Sequence, residues 1–253
     1  MSFLRTEGLS KHFMGLHALE KVDISIEEGR IYGIIGPNGS GKTTLLNVIS
    51  GLLPATEGRV YFDGTDITKF KPQAITKLGI GRTFQMAQVL PMMTCLQNVM
   101  AGAYCRSKTD LRGTFLRLPF TRSAQEEKIR QRSLELLQFV GLADSVERWG
   151  SELVWVERQL LQIACALASE PKLLLLDEPS SGMGRKESDR VGSIIKQIRD
   201  MAITVIFVAH DVKLVVDVSD WVITLDFGKK ISDVPPEQVQ NDPKVVEAYL
   251  GKE

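Results

Sequence analysis

The chain has 253 residues, 43% of them hydrophobic and 25% charged, with 31 Lys plus Arg against 31 Asp plus Glu. That is the composition of an ordinary globular protein, long enough for one large α/β domain or two small ones. A balanced charge excludes a bulk footprint for nucleic acid, so no nucleic-acid partner is expected. No run approaches the roughly 18 apolar residues that a spanning helix needs, so any service to a membrane runs through a separate partner.

The opening residues, Met1 to Glu7, show no basic segment followed by an apolar run, and no secretory leader is expected. Cys95, Cys105 and Cys165 lack the paired spacing of a zinc site or a disulfide framework, which predicts free thiols in a reducing cytoplasm.

Along the chain, Val22 to Ile26 alternates apolar and polar residues, as a half-buried strand does. Ile31 to Ile35 is continuously apolar and stops at Gly36-Pro37, the pattern of a buried strand ending in a turn. A helix is predicted from Gly41, with Leu45, Leu46 and Ile49 on one face. Arg59 to Phe62 reads as another strand between Gly58 and Asp63-Gly64. Residues 1–85 are therefore expected to form one mixed sheet around a glycine-rich turn.

That turn carries chemistry. Gly36-Pro37-Asn38-Gly39-Ser40-Gly41-Lys42-Thr43 fits G-x-x-x-x-G-K-[ST], with a strand before it and a helix after it. Glycines let successive backbone N–H groups face one anion, and the helix adds the positive end of its dipole. Lys42 is placed to reach β- and γ-phosphates, and the Thr43 hydroxyl to bind Mg²⁺.

The middle of the chain changes character. Ser123 to Val140 spaces Ile129, Leu134, Leu136, Leu137 and Val140 among charges, a helical pattern with Gly141 as its cap. Before it, Tyr104 to Arg122 holds Arg106, Lys108, Arg112, Arg117 and Arg122 against the single acid Asp110. It reads either as a solvated basic loop or as a surface near anionic lipid or a membrane partner.

After Pro171, Leu173 to Leu176 runs into Asp177-Glu178, and Thr204 to Ala209 runs into His210-Asp211. Glu187 to Met201 between them reads as a helix. Two apolar strands flanking a helix predict a parallel sheet covered on both faces, with ligands at the carboxyl ends of its strands. Asp177, Glu178 and His210 fall there. An aspartate ending a buried strand suits the magnesium shell. An adjacent glutamate suits orienting or deprotonating a water. His210 reads either as a donor to a γ-phosphate or as a satisfied structural residue. His12 and His17 are assigned no role.

Together, Gly36 to Thr43, Arg82-Thr83-Phe84-Gln85, Asp177-Glu178 and His210 resemble the ATPases of ABC transporters in order and spacing, over essentially the whole chain. The stretch Gly79 to Gln85 and the tail Asp242 to Gly251 are similar to the ATP-binding subunits of branched-chain (hydrophobic) amino acid uptake systems, features that urea and amide uptake relatives share. The resemblance implies a single cassette, residues 1–253. Its α/β P-loop NTPase (RecA-like) core would carry an antiparallel β subdomain and an inserted helical subdomain over about 86–168.

It implies ATP and Mg²⁺ as cofactors, with Thr44 joining the phosphate loop, Gln85 joining Thr43 and Asp177 at the metal, and Glu178, His210, Gln85 and Lys42 in catalysis. Phe13 would stack on adenine, or else fill the core. The partners implied are membrane permease subunits and a second ATP-binding subunit, at the cytoplasmic inner face of the cell membrane. Met86, Met92 and Met93 would line a contact surface near the permease, or serve as core filling.

One segment departs from the family pattern. Where the family carries L-S-G-G-Q, this chain has Leu153-Val154-Trp155-Val156-Glu157, with valines for the serine and the second glycine. Ser180-Ser181-Gly182-Met183-Gly184 also lacks the family's usual aspartate, Gly184 standing in its place. Valine has no hydroxyl, and its branched side chain obstructs close backbone approach. Either the subunit pairs with a different ATPase subunit that has an intact signature, or it hydrolyses little by itself.

Overall fold

The computed structural model describes residues 2–104 and 119–250. Most of the basic stretch and Cys105 lie outside the described residues. The backbone divides into two compact units, one of Met1–Gln85 with Lys172–Glu253, the other of Met86–Pro171.

In the first unit, β1 (Leu4–Phe13), β2 (Leu16–Val22) and β3 (Ser25–Ile26) open the chain. The single strand expected over Val22 to Ile26 is broken. The buried Thr6 hydroxyl donates to Val22 O at 2.7 Å and accepts from Ile24 N at 3.0 Å, taking ladder positions between β2 and β3. The fully buried β4 (Ile31–Ile35) follows, then α1 (Lys42–Ile49), β5 (Glu57–Phe62), β6 (Thr65–Asp66), α2 (Pro72–Leu78) and β7 (Ile80–Arg82).

These strands do not share one sheet, contrary to the expectation for residues 1–85. β2, β1, β5 and β6 pair in that order, β3 joins β1, and all the pairings are antiparallel. β4 and β7 belong to a second sheet. The cause is burial: β1 and β5 have one wet side, whereas β4 is apolar throughout and needs cover on both faces.

The second unit is helical. α3 (Cys95–Tyr104), α4 (Pro119–Phe139) and α5 (Trp155–Leu167) bury Cys95, Val99, Leu136, Leu137, Leu160 and Leu161. α4 starts earlier than its apolar spacing indicates, at a proline, whose missing N–H costs nothing in a first turn. It ends at Gly141, whose φ of 75° takes the left-handed conformation of a helix stop. The buried Asn98 amide ties down the loop before α3: its oxygen accepts from Leu90 N at 2.8 Å, and its nitrogen donates to Thr94 O at 2.9 Å. Met86, Met92 and Met93 are exposed rather than core filling.

The chain then returns to the first unit with β8 (Leu173–Asp177), α6 (Arg185–Asp200), β9 (Thr204–Val208), α7 (Val212–Val218), β10 (Trp221–Asp226), β11 (Lys229–Val234), α8 (Pro236–Val239) and α9 (Pro243–Leu250). The second sheet has the order β11-β10-β4-β9-β8-β7, parallel except for β11. Every residue of β4, β8 and β9 is buried. Because these strands run parallel, the segments that follow Ile35, Arg82, Asp177 and Val208 leave from the same edge.

Candidate functional site

At that edge, Gly36 to Gly41 turns β4 into α1. Gly36, Gly39 and Gly41 have φ of 147°, 79° and 102°, which side chains rarely adopt. At Gly36 a Cβ would also lie 2.0 Å from the Leu225 carbonyl oxygen. α1 starts with no side-chain cap and no acid in its first turn, so its leading amides and dipole are not neutralised locally. The Lys42 ammonium is folded back onto the carbonyls of Gly36 and Pro37 at 2.8 and 2.9 Å. Burial pushes its pKa below the ordinary lysine value, against the pull of Glu178 and Asp177.

Asp177 closes β8 and is 1% exposed. It accepts from the Thr43 hydroxyl at 3.1 Å and pairs with the Arg82 guanidinium at 3.0 Å. Desolvation by burial holds the Asp177 carboxyl above its ordinary value, opposed chiefly by Arg82. Arg82 also donates to the Ser50 hydroxyl at 2.6 Å.

Glu178 has a φ of 51°, a left-handed conformation that costs a non-glycine residue on the order of 1 kcal/mol or more. Its backbone N–H is held by Val208 O at 3.0 Å. Its carboxylate accepts from Gln85 Nε2 at 3.0 Å on one oxygen and meets His210 Nε2 at 2.6 Å on the other. The His210 hydrogen bond needs a proton on Nε2, in the neutral tautomer or the imidazolium.

A cleft of about 650 Å³ opens over this group, lined by Asn38 to Thr44, Gln85, Glu178 and His210 together with Phe13, Leu16, His17, Ala18 and Phe227. Phe13 is 40% exposed at the end of β1, so it does not fill the core. Gly36 and Pro37 hold Lys42, and Asp177 holds Thr43, so all three touch residues of the lining. The sequence residues singled out for this site are thus gathered at one place.

Four features had no sequence signal. Arg82 partners Asp177 from a three-residue strand 95 positions away. Phe227 and His17 reach the cleft from turns and an edge strand. Tyr249 in α9 accepts a hydrogen bond from Gly36 N–H at 2.9 Å, across 213 residues of sequence. Spacing along a chain reports none of these, because each depends on how separate strands are paired.

In the other unit, Val154 is the N-cap of α5 and is 61% exposed. It has no oxygen with which to cap. Glu157 accepts from Val154 N–H at 3.0 Å and is gripped by Arg148 at 2.7 and 3.1 Å. That grip holds the Glu157 carboxyl below the ordinary range.

Residues 19–181 match the family model described as ABC transporter, and residues 229–253 match that of the branched-chain amino acid ATP-binding cassette transporter. A probable branched-chain amino acid transport ATP-binding protein of Archaeoglobus fulgidus is 37% identical, over 99% of this chain and 96% of that protein. The high-affinity branched-chain amino acid transport ATP-binding protein BraF of Pseudomonas aeruginosa is 32% identical over 98% of both. An ATP-binding cassette of an ABC transporter, solved in its ADP conformation, aligns over 100% of both chains with a TM-score of 0.86 at 35% identity. A dimeric cassette solved after hydrolysis with ADP and phosphate aligns over 92% of this chain and 98% of its own, with a TM-score of 0.79 at 27% identity. The chain therefore belongs to the ABC transporter family, in its branched-chain amino acid ATP-binding cassette branch.

Proposed function

We propose that this chain binds Mg·ATP at residues 36–44 and hydrolyses it to drive a separate membrane permease, importing branched-chain or other hydrophobic amino acids. The observation that carries the chemistry is Glu178: a carboxylate bound on one oxygen by Gln85 and on the other by His210, lining the same cleft as the phosphate loop. The relatives' transport of branched-chain amino acids carries the substrate class.

Each residue has a role that its position supports. Backbone amides of the loop and of α1 cradle the phosphates. Lys42, now satisfied by two carbonyls, swings to the β- and γ-phosphates. The donor set fits magnesium: the Thr43 hydroxyl and the Asp177 carboxylate are hard oxygen ligands 3.1 Å apart, with Gln85 on the same side. Bound magnesium would supply positive charge against the β- and γ-phosphate oxygens. Glu178 orients and deprotonates the attacking water, and His210 turns its Nε2 proton from that carboxylate to the γ-phosphate when nucleotide is bound. Phe13, exposed at the rim, offers a face for adenine. As a cassette, the chain is one core with a helical insertion, which the separation of Met86–Pro171 supports.

A dimer is supported by the dimeric relative, and an unlike partner by Val154 and Val156, which offer no hydroxyl or glycine amide to a neighbouring site. We place the assembly at the inner face of the cell membrane; among the described residues no helix is long and apolar enough to cross it.

The test is steady-state ATP hydrolysis by the chain reconstituted with its permease and partner subunit, with and without EDTA, against Glu178→Gln. General-base loss should lower kcat by about 10²–10⁴-fold while nucleotide binding persists, and EDTA should abolish turnover. An unchanged rate in Glu178→Gln would remove Glu178 from the reaction.

A further inference from the structure

We propose that Tyr249 is a positioning residue for the phosphate loop: its phenol, delivered by the C-terminal helix, holds the first loop amide so that nucleotide affinity depends on a segment 213 residues away in sequence.

Gly36 follows the last residue of β4 and so lies beyond the sheet ladder. A buried amide without a partner is destabilising, and the Tyr249 oxygen accepts this one at 2.9 Å. The same residue's carbonyl accepts from Lys42 at 2.8 Å. The two peptide units that flank the Gly36 Cα are thus held in turn, the first at its N–H by Tyr249 and the second at its carbonyl by the phosphate-binding lysine. Leu225 O blocks it from behind, where not even a Cβ would fit.

α9 is built to hold the phenol there. Asp242 accepts from Lys244 N–H at 2.9 Å and from the Ser232 hydroxyl of β11, which fastens the helix start to the sheet. Val245 is 5% exposed and packs the next turn. Burial raises the Tyr249 pKa above its ordinary value, so the phenol stays neutral near pH 7. Tyr249 lies within 229–253, the segment that the branched-chain model matches.

This inference rests on the nucleotide reading above, so the test separates the two. Tyr249→Phe removes only the hydroxyl. Amide hydrogen exchange at Gly36, measured without nucleotide, should accelerate at least about tenfold in the variant, since one hydrogen bond closes that amide. Titration with a fluorescent ATP analogue should show about three- to tenfold weaker binding, the fold-change expected for one neutral hydrogen bond. The kcat at saturating ATP should stay near wild type, and the thermal midpoint should fall by no more than the few degrees that one lost buried hydrogen bond accounts for. Unchanged exchange at Gly36, or faster exchange with unchanged affinity, overturns the proposal. A lowered thermal midpoint with unchanged affinity also overturns it, because Tyr249 would then be only structural. If wild type and Lys42→Ala bind the analogue equally poorly, the nucleotide reading itself fails and this proposal falls with it.

Discussion

Two helix starts in this molecule have opposite electrostatic character. α1 begins after Gly41 with no acid in its first turn and with Lys42 as its first residue. Its leading amides and the positive dipole end are left for an outside anion. α5 begins after Val154, and its first turn already contains an anion: Glu157 takes the Val154 amide and is neutralised by Arg148. Both segments are regular helices, yet only the first has kept its N-terminus available. Helix geometry alone does not make a phosphate site; the residues at N-cap and first turn decide.

The same contrast runs through two arginine–carboxylate pairs. Arg82 and Asp177 meet at 3.0 Å with side chains 7% and 2% exposed, while Arg148 and Glu157 meet at 2.7 Å with side chains 38% and 25% exposed. Water screens the second pair and barely reaches the first. The shorter distance therefore belongs to the weaker dependence.

The largest effect should come from Arg82→Met. It leaves Asp177 as an uncompensated buried charge, at a cost of about 3–5 kcal/mol, read as a loss of stability in urea unfolding. The same experiment on Arg148→Met should show a much smaller loss, because water screens that pair. Equal losses in the two variants would break the contrast between the pairs.

Next is the α5 start. A Val154→Ser, Val156→Gly double variant restores a hydroxyl and a slim backbone there. By analogy with lost oxyanion donors, it should raise ATP turnover of the chain assayed alone on the order of 10²-fold. That gain should vanish when Glu178→Gln is added. A wild-type chain that already turns over as fast as the double variant would favour a self-sufficient homodimer and retire the unlike-partner reading.

The smallest effect concerns pH. Arg148 holds the folded Glu157 pKa below its unfolded value, so the stabilisation is fully present above about pH 4.3. It is lost as pH falls through the depressed folded value. Glu157→Gln should therefore be less stable than wild type by about 0.5–1 kcal/mol at pH 7, and the gap should close towards pH 3. A gap that persists unchanged at pH 3 would show that packing, not the ion pair, holds Glu157.

Much of the candidate site was legible in sequence because it is local. A phosphate loop needs its glycines, lysine and threonine side by side, and a strand end needs only an apolar run that stops at Asp177-Glu178. The assignment of residues 1–85 to one sheet failed for the opposite reason. Which strands pair depends on partners far away, and β4 finds its neighbours in β9 and β10. The break between β2 and β3 was equally invisible, since it turns on the hydroxyl of Thr6, a residue with no unusual spacing.

By itself, the sequence determined the phosphate loop, the acidic strand end, the apolar parallel strands and the altered segment at Val154, all of which are written in contiguous residues. Only the tertiary structure decided that Glu178 is held from both sides by Gln85 and His210, that Arg82 balances Asp177, and that Tyr249 meets Gly36. Those contacts join residues 32 to 213 positions apart. The first three exist because a parallel sheet delivers its strand ends to one edge, whatever the distance along the chain, and the last because α9 carries Tyr249 back to the residue that follows β4.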